Sequence, residues 1–204
     1  MGEKSCSDTV QIRANFVRAL WQHLSVNFAS VIKSKSHSSI SLFCAESLEF
    51  MGIMNAETFL QNYVTTIGRT IYVPYFVGVA ENTRELIEQA MTGVHEHQHV
   101  QQFNMGGRSF MSDYLTIPSK RVMAEVEAIM ASWEFAMALQ AKSHSTIDLD
   151  PIRYAEQLRP YMLGDKDIAL AAKALELGKT MVMDGAISTE AGRVSADFLI
   201  SWPG

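Results

Sequence analysis

The stretch Val94–Phe103, "VHEHQHVQQF", carries three of the chain's six histidines within five residues. Imidazoles so concentrated are costly to bury unless something uses their lone pairs, and a metal ion is the usual user. His95 and His99 are four residues apart, so on a continuous helix they share a face, one turn from each other. Two imidazoles placed this way can hold one Zn²⁺ from a single rigid element. Glu96 is rotated one residue step from His95, which keeps its carboxylate beside such an ion and not on it. A carboxylate there can take a proton from an attacking water, so the spacing is the one metal-assisted hydrolysis needs. The competing reading is a solvated helix face with stray histidines.

This reading requires the stretch to be helical, and the flanks agree. Upstream, "ENTRELIEQAM" (81–91) opens a helix with Asn82 as cap and Glu85 three residues on. The helix continues through Leu86, Ile87, Ala90, Met91 and Val94 and should stop near "NMGGRS", at Gly106 and Gly107. Before it, "VTTIGRTIYVPYFVGV" (64–79) is the best strand signal, with Gly68 able to bend it and Pro74 restricting it to an edge or a strand end. After it, a second helix spans roughly Ser119 to Lys142, with Val122, Val126, Ile129, Met130, Trp133, Met137 and Leu139 at core spacings. An amphipathic helix is expected from Asp8 to about Ile32, capped by Ser7 or Asp8. "ISLFCA" (40–45) reads as a short buried strand or a helix start, and Ala56–Tyr63 as a short helix opened by Asn55. The last fifty residues suggest two or three short helices. The expected class is α+β, mostly helical, with a core over residues 1–145 and a helical extension over 146–204 packed on it.

At 204 residues, 48% apolar and 19% charged, the composition is that of an ordinary globular protein. A formal charge of −5 offers no basic field for nucleic acid or anionic lipid. No apolar run approaches the ~18 residues of a membrane span. The polar N-terminus lacks the apolar segment of a secretory signal, and Cys6 stands where a myristoylation pattern wants Ser or Thr. Cys6 and Cys44 read as free thiols. The expected location is cytoplasmic.

A catalytic zinc takes a third protein ligand and keeps its fourth position for water. His144 lies in a polar linker and is a poor candidate. "KRVMAEVEAIMASWEFAMAL" (120–139) is better, since it presents Glu125, Glu127 and Glu134 on a helix. Glu125 and Glu127 are ~200° apart, so only one of them faces the histidines. Glu125 shares its face with Ala128 and Ser132, small residues that allow two helices to approach, whereas Glu127 lies nearer Met130 and Glu134. Glu125 is the preferred ligand and Glu127 the alternative. His97, two residues from each ligand, points elsewhere, to solvent or to a supporting position.

His95-Glu96-x-x-His99 followed by a helix bearing "EVEAI" (125–129) resembles the gluzincin kind of zincin metallopeptidase. There a glutamate in an E-x-x-A pattern completes the site begun by H-E-x-x-H. The likeness covers about Thr65 to Leu139 and is strongest to compact minimal zincins of bacteria and phages, whose H-E-x-x-H-x-x-Q matches "HEHQHVQQ" (95–102). Ile129 departs from the pattern, standing where a carboxylate or amide is usual. The resemblance implies a minimal zincin core, Zn²⁺ held by His95, His99 and Glu125, Glu96 as general base, and a peptide or protein substrate. It further implies that an edge strand, here Arg69–Tyr75, holds extended substrate, and that Tyr114 or Tyr72 is available to an oxyanion. The alternative is a zinc-stabilised binding or virion-structural module without turnover, which an intact motif does not exclude, although a purely structural site would have no need of Glu96.

Overall fold

The computed structural model describes residues 11–50, 55–143 and 148–203. The expected cap at Ser7 or Asp8, Cys6 and His144 lie outside them. Helix α1 (Ala14–Phe28) buries Phe16, Val17, Leu20, Trp21, Leu24 and Phe28, the periodic positions of the sequence. It ends earlier than its apolar pattern suggests. Ala29 turns left-handed (φ 52°) and the Ser30 amide closes on the Ser25 carbonyl, so β-branched Val31 and Ile32 enter a strand instead.

That strand, β1 (Val31–Ser34), pairs in parallel with β3 (Thr70–Val73), and β2 (Thr65–Ile67) pairs antiparallel with β3 from the other side. The order β1-β3-β2 makes β3 the central strand. Arg69–Tyr75 is therefore not an edge, contrary to the sequence-based expectation. Its Ile71, Tyr72 and Val73 are buried, as a middle strand requires, and Pro74 falls just past its end. Gly68 at φ 63° makes the two-residue turn between β2 and β3. "ISLFCA" is helical, within α2 (Ser39–Phe50), and Cys44 is a free thiol. α3 (Ala56–Asn62) starts where Asn55 accepts from the Thr58 amide.

Helix α4 (Thr83–Thr116) opens on Asn82, whose side chain accepts from the Glu85 amide. Gly107 (φ 56°, ψ −137°) bends the helix where a stop was expected; a second helical segment then continues to Thr116. α1 crosses α4 at Gly93, where an added Cβ would sit 2.5 Å from the Trp21 indole nitrogen. That close approach lets Trp21 donate to the Gln89 carbonyl at 2.9 Å.

Helix α5 (Pro118–Ser143) lies along α4, with Ser132 Oγ donating to the Met91 carbonyl. Two apolar clusters share it. Ala131, Phe135 and Leu139 join the core built on α1, α4 and the sheet. Val122, Val126, Ile129 and Trp133 join a second core with Leu158, Leu163, Ile168 and Leu175. The latter come from the chain after α5, which forms α6 (Pro151–Glu156), a 3₁₀ turn at Arg159–Tyr161, and α7 (Asp165–Met183). α8 (Glu190–Ser201) packs on α1, α4 and α5. Its start is held by Glu134, which is buried. Four donors reach Glu134: the amides and hydroxyls of Ser188 and Thr189. No helix among the described residues is long and apolar enough to cross a membrane. The fold is α+β and mostly helical.

Candidate metal centre

The middle of α4 and the first half of α5 bring His95, His99 and Glu125 together, with one donor atom from each lying within 4.8 Å of the others. The two Nε2 atoms are 3.2 Å apart. Glu125 Oε2 is 3.5 Å from His95 Nε2, and Oε1 is 3.5 Å from His99 Nε2. Three donors bound tetrahedrally to one zinc stand about 3.3–3.5 Å apart, given bonds of roughly 2.0–2.2 Å. The separations of His95 Nε2 from His99 Nε2 and from Glu125 Oε2 are close to that figure, and the carboxylate spans the gap to His99 with its other oxygen. Glu125 is 1% exposed, and its Oε2 is buried with no hydrogen-bond partner. An orphaned carboxylate oxygen in the interior is expensive unless a cation meets it. Oε1 is occupied, accepting from the Tyr114 hydroxyl at 2.5 Å.

The local electrostatics favour positive charge at this point. Burial would raise the Glu125 pKa, but the imidazoles of His99 and His95 hold it well below the ordinary carboxylate range. His99 shows the reciprocal effect: burial lowers it, and Glu125, Glu96 and Gln102 override that, pushing it up to about 9. Burial and Glu125 push the Tyr114 hydroxyl far above its usual pKa, so it is neutral and donates. Side-chain exposures of 20% for His95 and 12% for His99 leave the imidazole edge of the triangle accessible.

The supporting residues explain how the triangle is held. Gln102 Oε1 accepts from His99 Nδ1 at 2.8 Å, an assignment that keeps a proton on Nδ1, so that in the neutral ring a metal requires it is the Nε2 lone pair that faces the triangle. Gln102 Nε2 donates to the Ala124 carbonyl at 3.0 Å and to Glu127 Oε2 at 2.8 Å. Glu127 is thus not in the donor triangle; it sits behind it. Glu96 is buried at 7% exposure and accepts from Thr66 Oγ1 on β2 at 2.6 Å. Tyr114 belongs to the last turns of α4 and not to a loop. Tyr72 is packed in β3, and no hydrogen bond joins it to these residues.

His97 points away from the triangle but not to solvent. It is fully buried under α1, donating from Nδ1 to the Gly93 carbonyl at 2.6 Å and accepting at Nε2 from Ser30 Oγ at 2.9 Å. Burial brings its pKa down to about 4, so it is a neutral core histidine. Ile129 is also buried in the second core, so the usual polar partner at that position is absent. Two roles carry no clear sequence signal. Thr66 reaches Glu96 from a different element. Arg121, 8% exposed, donates to the carbonyls of Tyr114, Leu115 and Tyr161 at 2.7–2.8 Å, fixing the end of α4 that carries Tyr114. Gln102 was visible in "HEHQHVQQ", though its partners were not. The chain matches no protein-family model, no curated protein and no solved structure.

Proposed function

We propose that this protein is a zinc-dependent metallopeptidase with a site of the gluzincin type. The observation that carries the proposal is the donor triangle with its orphaned Glu125 Oε2. His95 and His99 would hold the ion through Nε2 and Glu125 through Oε2, with Oε1 kept in place by Tyr114. When bound, the ion supplies Lewis-acid polarisation of a peptide carbonyl and acidifies water. Thr66 occupies Glu96 Oε2, leaving Oε1 to take the proton of the attacking water and return it to the leaving amine. β2 (Thr65–Ile67), the sheet edge that carries Thr66, takes the place of Arg69–Tyr75 as the strand on which an extended peptide would pair.

Glu96→Gln tests this reading. The variant should keep its zinc and lose hydrolysis of an unstructured protein substrate by about 10²–10⁴-fold, the usual contribution of a general base. Cleavage at the parent rate would exclude the mechanism. A second reading draws on the burial of Glu125 at 1% exposure: a zinc-stabilised binding or virion-structural module without turnover. It predicts that zinc raises the melting temperature of parent and Glu96→Gln equally while neither cleaves any substrate.

A further inference from the structure

Resting on the metal reading above, we infer that Glu127 is a positioning residue that sets the ring tautomer of His99 through Gln102. Glu127 lies on α5 in a groove of about 680 Å³, together with Gln98, Gln102, Met105, Phe110 and Met130; none of the three donor residues lines it. Each oxygen of Glu127 accepts from one α4 amide, Oε1 from Gln98 Nε2 at 3.0 Å and Oε2 from Gln102 Nε2 at 2.8 Å. Gln98 is itself fixed, because its Oε1 accepts from the Ala191 amide at the start of α8.

The consequence for Gln102 follows from the chemistry of a primary amide, which has one end that donates and one that accepts. Two acceptors, the Ala124 carbonyl and the Glu127 carboxylate, meet one end of the Gln102 side chain, so that end must be the NH₂. The other end, Oε1, then faces His99 Nδ1 and can only accept. A proton is thereby required on Nδ1, so in the neutral ring Nε2 is the bare nitrogen, toward His95 Nε2 and Glu125. The negative charge of Glu127 also polarises the amide and makes its oxygen a better acceptor. Without Glu127, only the Ala124 carbonyl opposes a flip of Gln102 that would point NH₂ at His99 and favour the wrong tautomer. Ile129, buried in the second core, offers no carboxylate, and Glu127 on the same helix reaches His99 through Gln102.

Zinc affinity of the full chain, measured by competition with a chromophoric chelator, tests this without recourse to activity. Loss of a partner behind a ligating histidine typically weakens metal binding by about 10–100-fold. Glu127→Ala and Gln102→Leu should both fall in that range, and the visible absorption of the cobalt-substituted protein should shift in both. The double variant Gln102→Glu/Glu127→Gln exchanges carboxylate and amide, placing an acceptor on His99 Nδ1 and a donor opposite it, at the loss of the donor to the Ala124 carbonyl. It should recover affinity relative to Glu127→Ala. The inference is overturned if Glu127→Ala binds zinc within about twofold of the parent, or lowers only the melting temperature of the metal-free protein, as a packing role would. A parent chain that takes up no zinc would overturn the metal reading and this inference with it. A parent that binds beside a Glu127→Ala variant that binds equally well removes the inference alone.

Discussion

Tyr114→Phe removes one hydroxyl from a crowded electrostatic site, and the structure allows its cost to be worked out. The hydroxyl lies 2.5 Å from Glu125 Oε1, and the other oxygen, Oε2, is unpartnered. In the metal-free protein the substitution therefore strips an ionised, 1%-exposed carboxylate of its one hydroxyl donor. Hydrogen bonds to charged groups contribute about 1.5–3 kcal/mol, whereas the ring keeps its volume and leaves no cavity. Release of the buried hydroxyl offsets a little, so a loss of about 2 kcal/mol is expected. That is roughly a 30-fold change in the unfolding equilibrium, or about 4–8 °C in melting temperature for a chain of this size. Urea unfolding in chelator, read by far-UV circular dichroism, measures it. Should Tyr114→Phe unfold at the parent urea concentration, Tyr114 does not support Glu125 and the description of the site fails.

Lys35, 1% exposed, donates to the Phe59 carbonyl at 2.9 Å, and burial brings its pKa down from 10.5 to about 8. Between those values the unfolded chain binds more protons than the folded one, so stability should rise with pH, by at most about 1.4 kcal/mol per unit. Denaturant titrations from pH 7 to 10.5 should show this rise in the parent and a flatter profile in Lys35→Met; identical slopes would refute it. Glu134→Ala strands the Ser188 and Thr189 donors at the start of α8 and should cost about 2–4 kcal/mol, with hydrogen exchange accelerated first at the α8 amides. Unchanged protection there would show that Glu134 is not the clamp.

The parts of the molecule legible in sequence are those written locally. His95 and His99 needed only a helical repeat, and Asn82 and Asn55 only the chemistry of a cap. Ala128 and Ser132, on the Glu125 face, permit close helix approach, and Ser132 does touch α4. Long-range packing hid the rest. His97 had the spacing of a residue off the ligand face, but the sequence does not say that α1 covers that face. Pro74 lets Arg69–Tyr75 read as an edge or a strand end; β1, arriving in parallel from about forty residues upstream, makes β3 central, and Pro74 marks its end. The role of Glu134 is not legible locally because its partners, Ser188 and Thr189, lie more than fifty residues away. Helix α5 faces two cores, so its apolar positions leave no clean stripe from which an inward side can be read.

The most direct test of the central claim is zinc content per chain after metal loading and gel filtration, compared across parent, Glu96→Gln, His99→Ala and Glu125→Ala. Convergence of two imidazoles and one carboxylate on a single ion predicts about one zinc per chain in parent and Glu96→Gln, and near-complete loss in the other two. A parent without zinc, or full retention by both His99→Ala and Glu125→Ala, would contradict it.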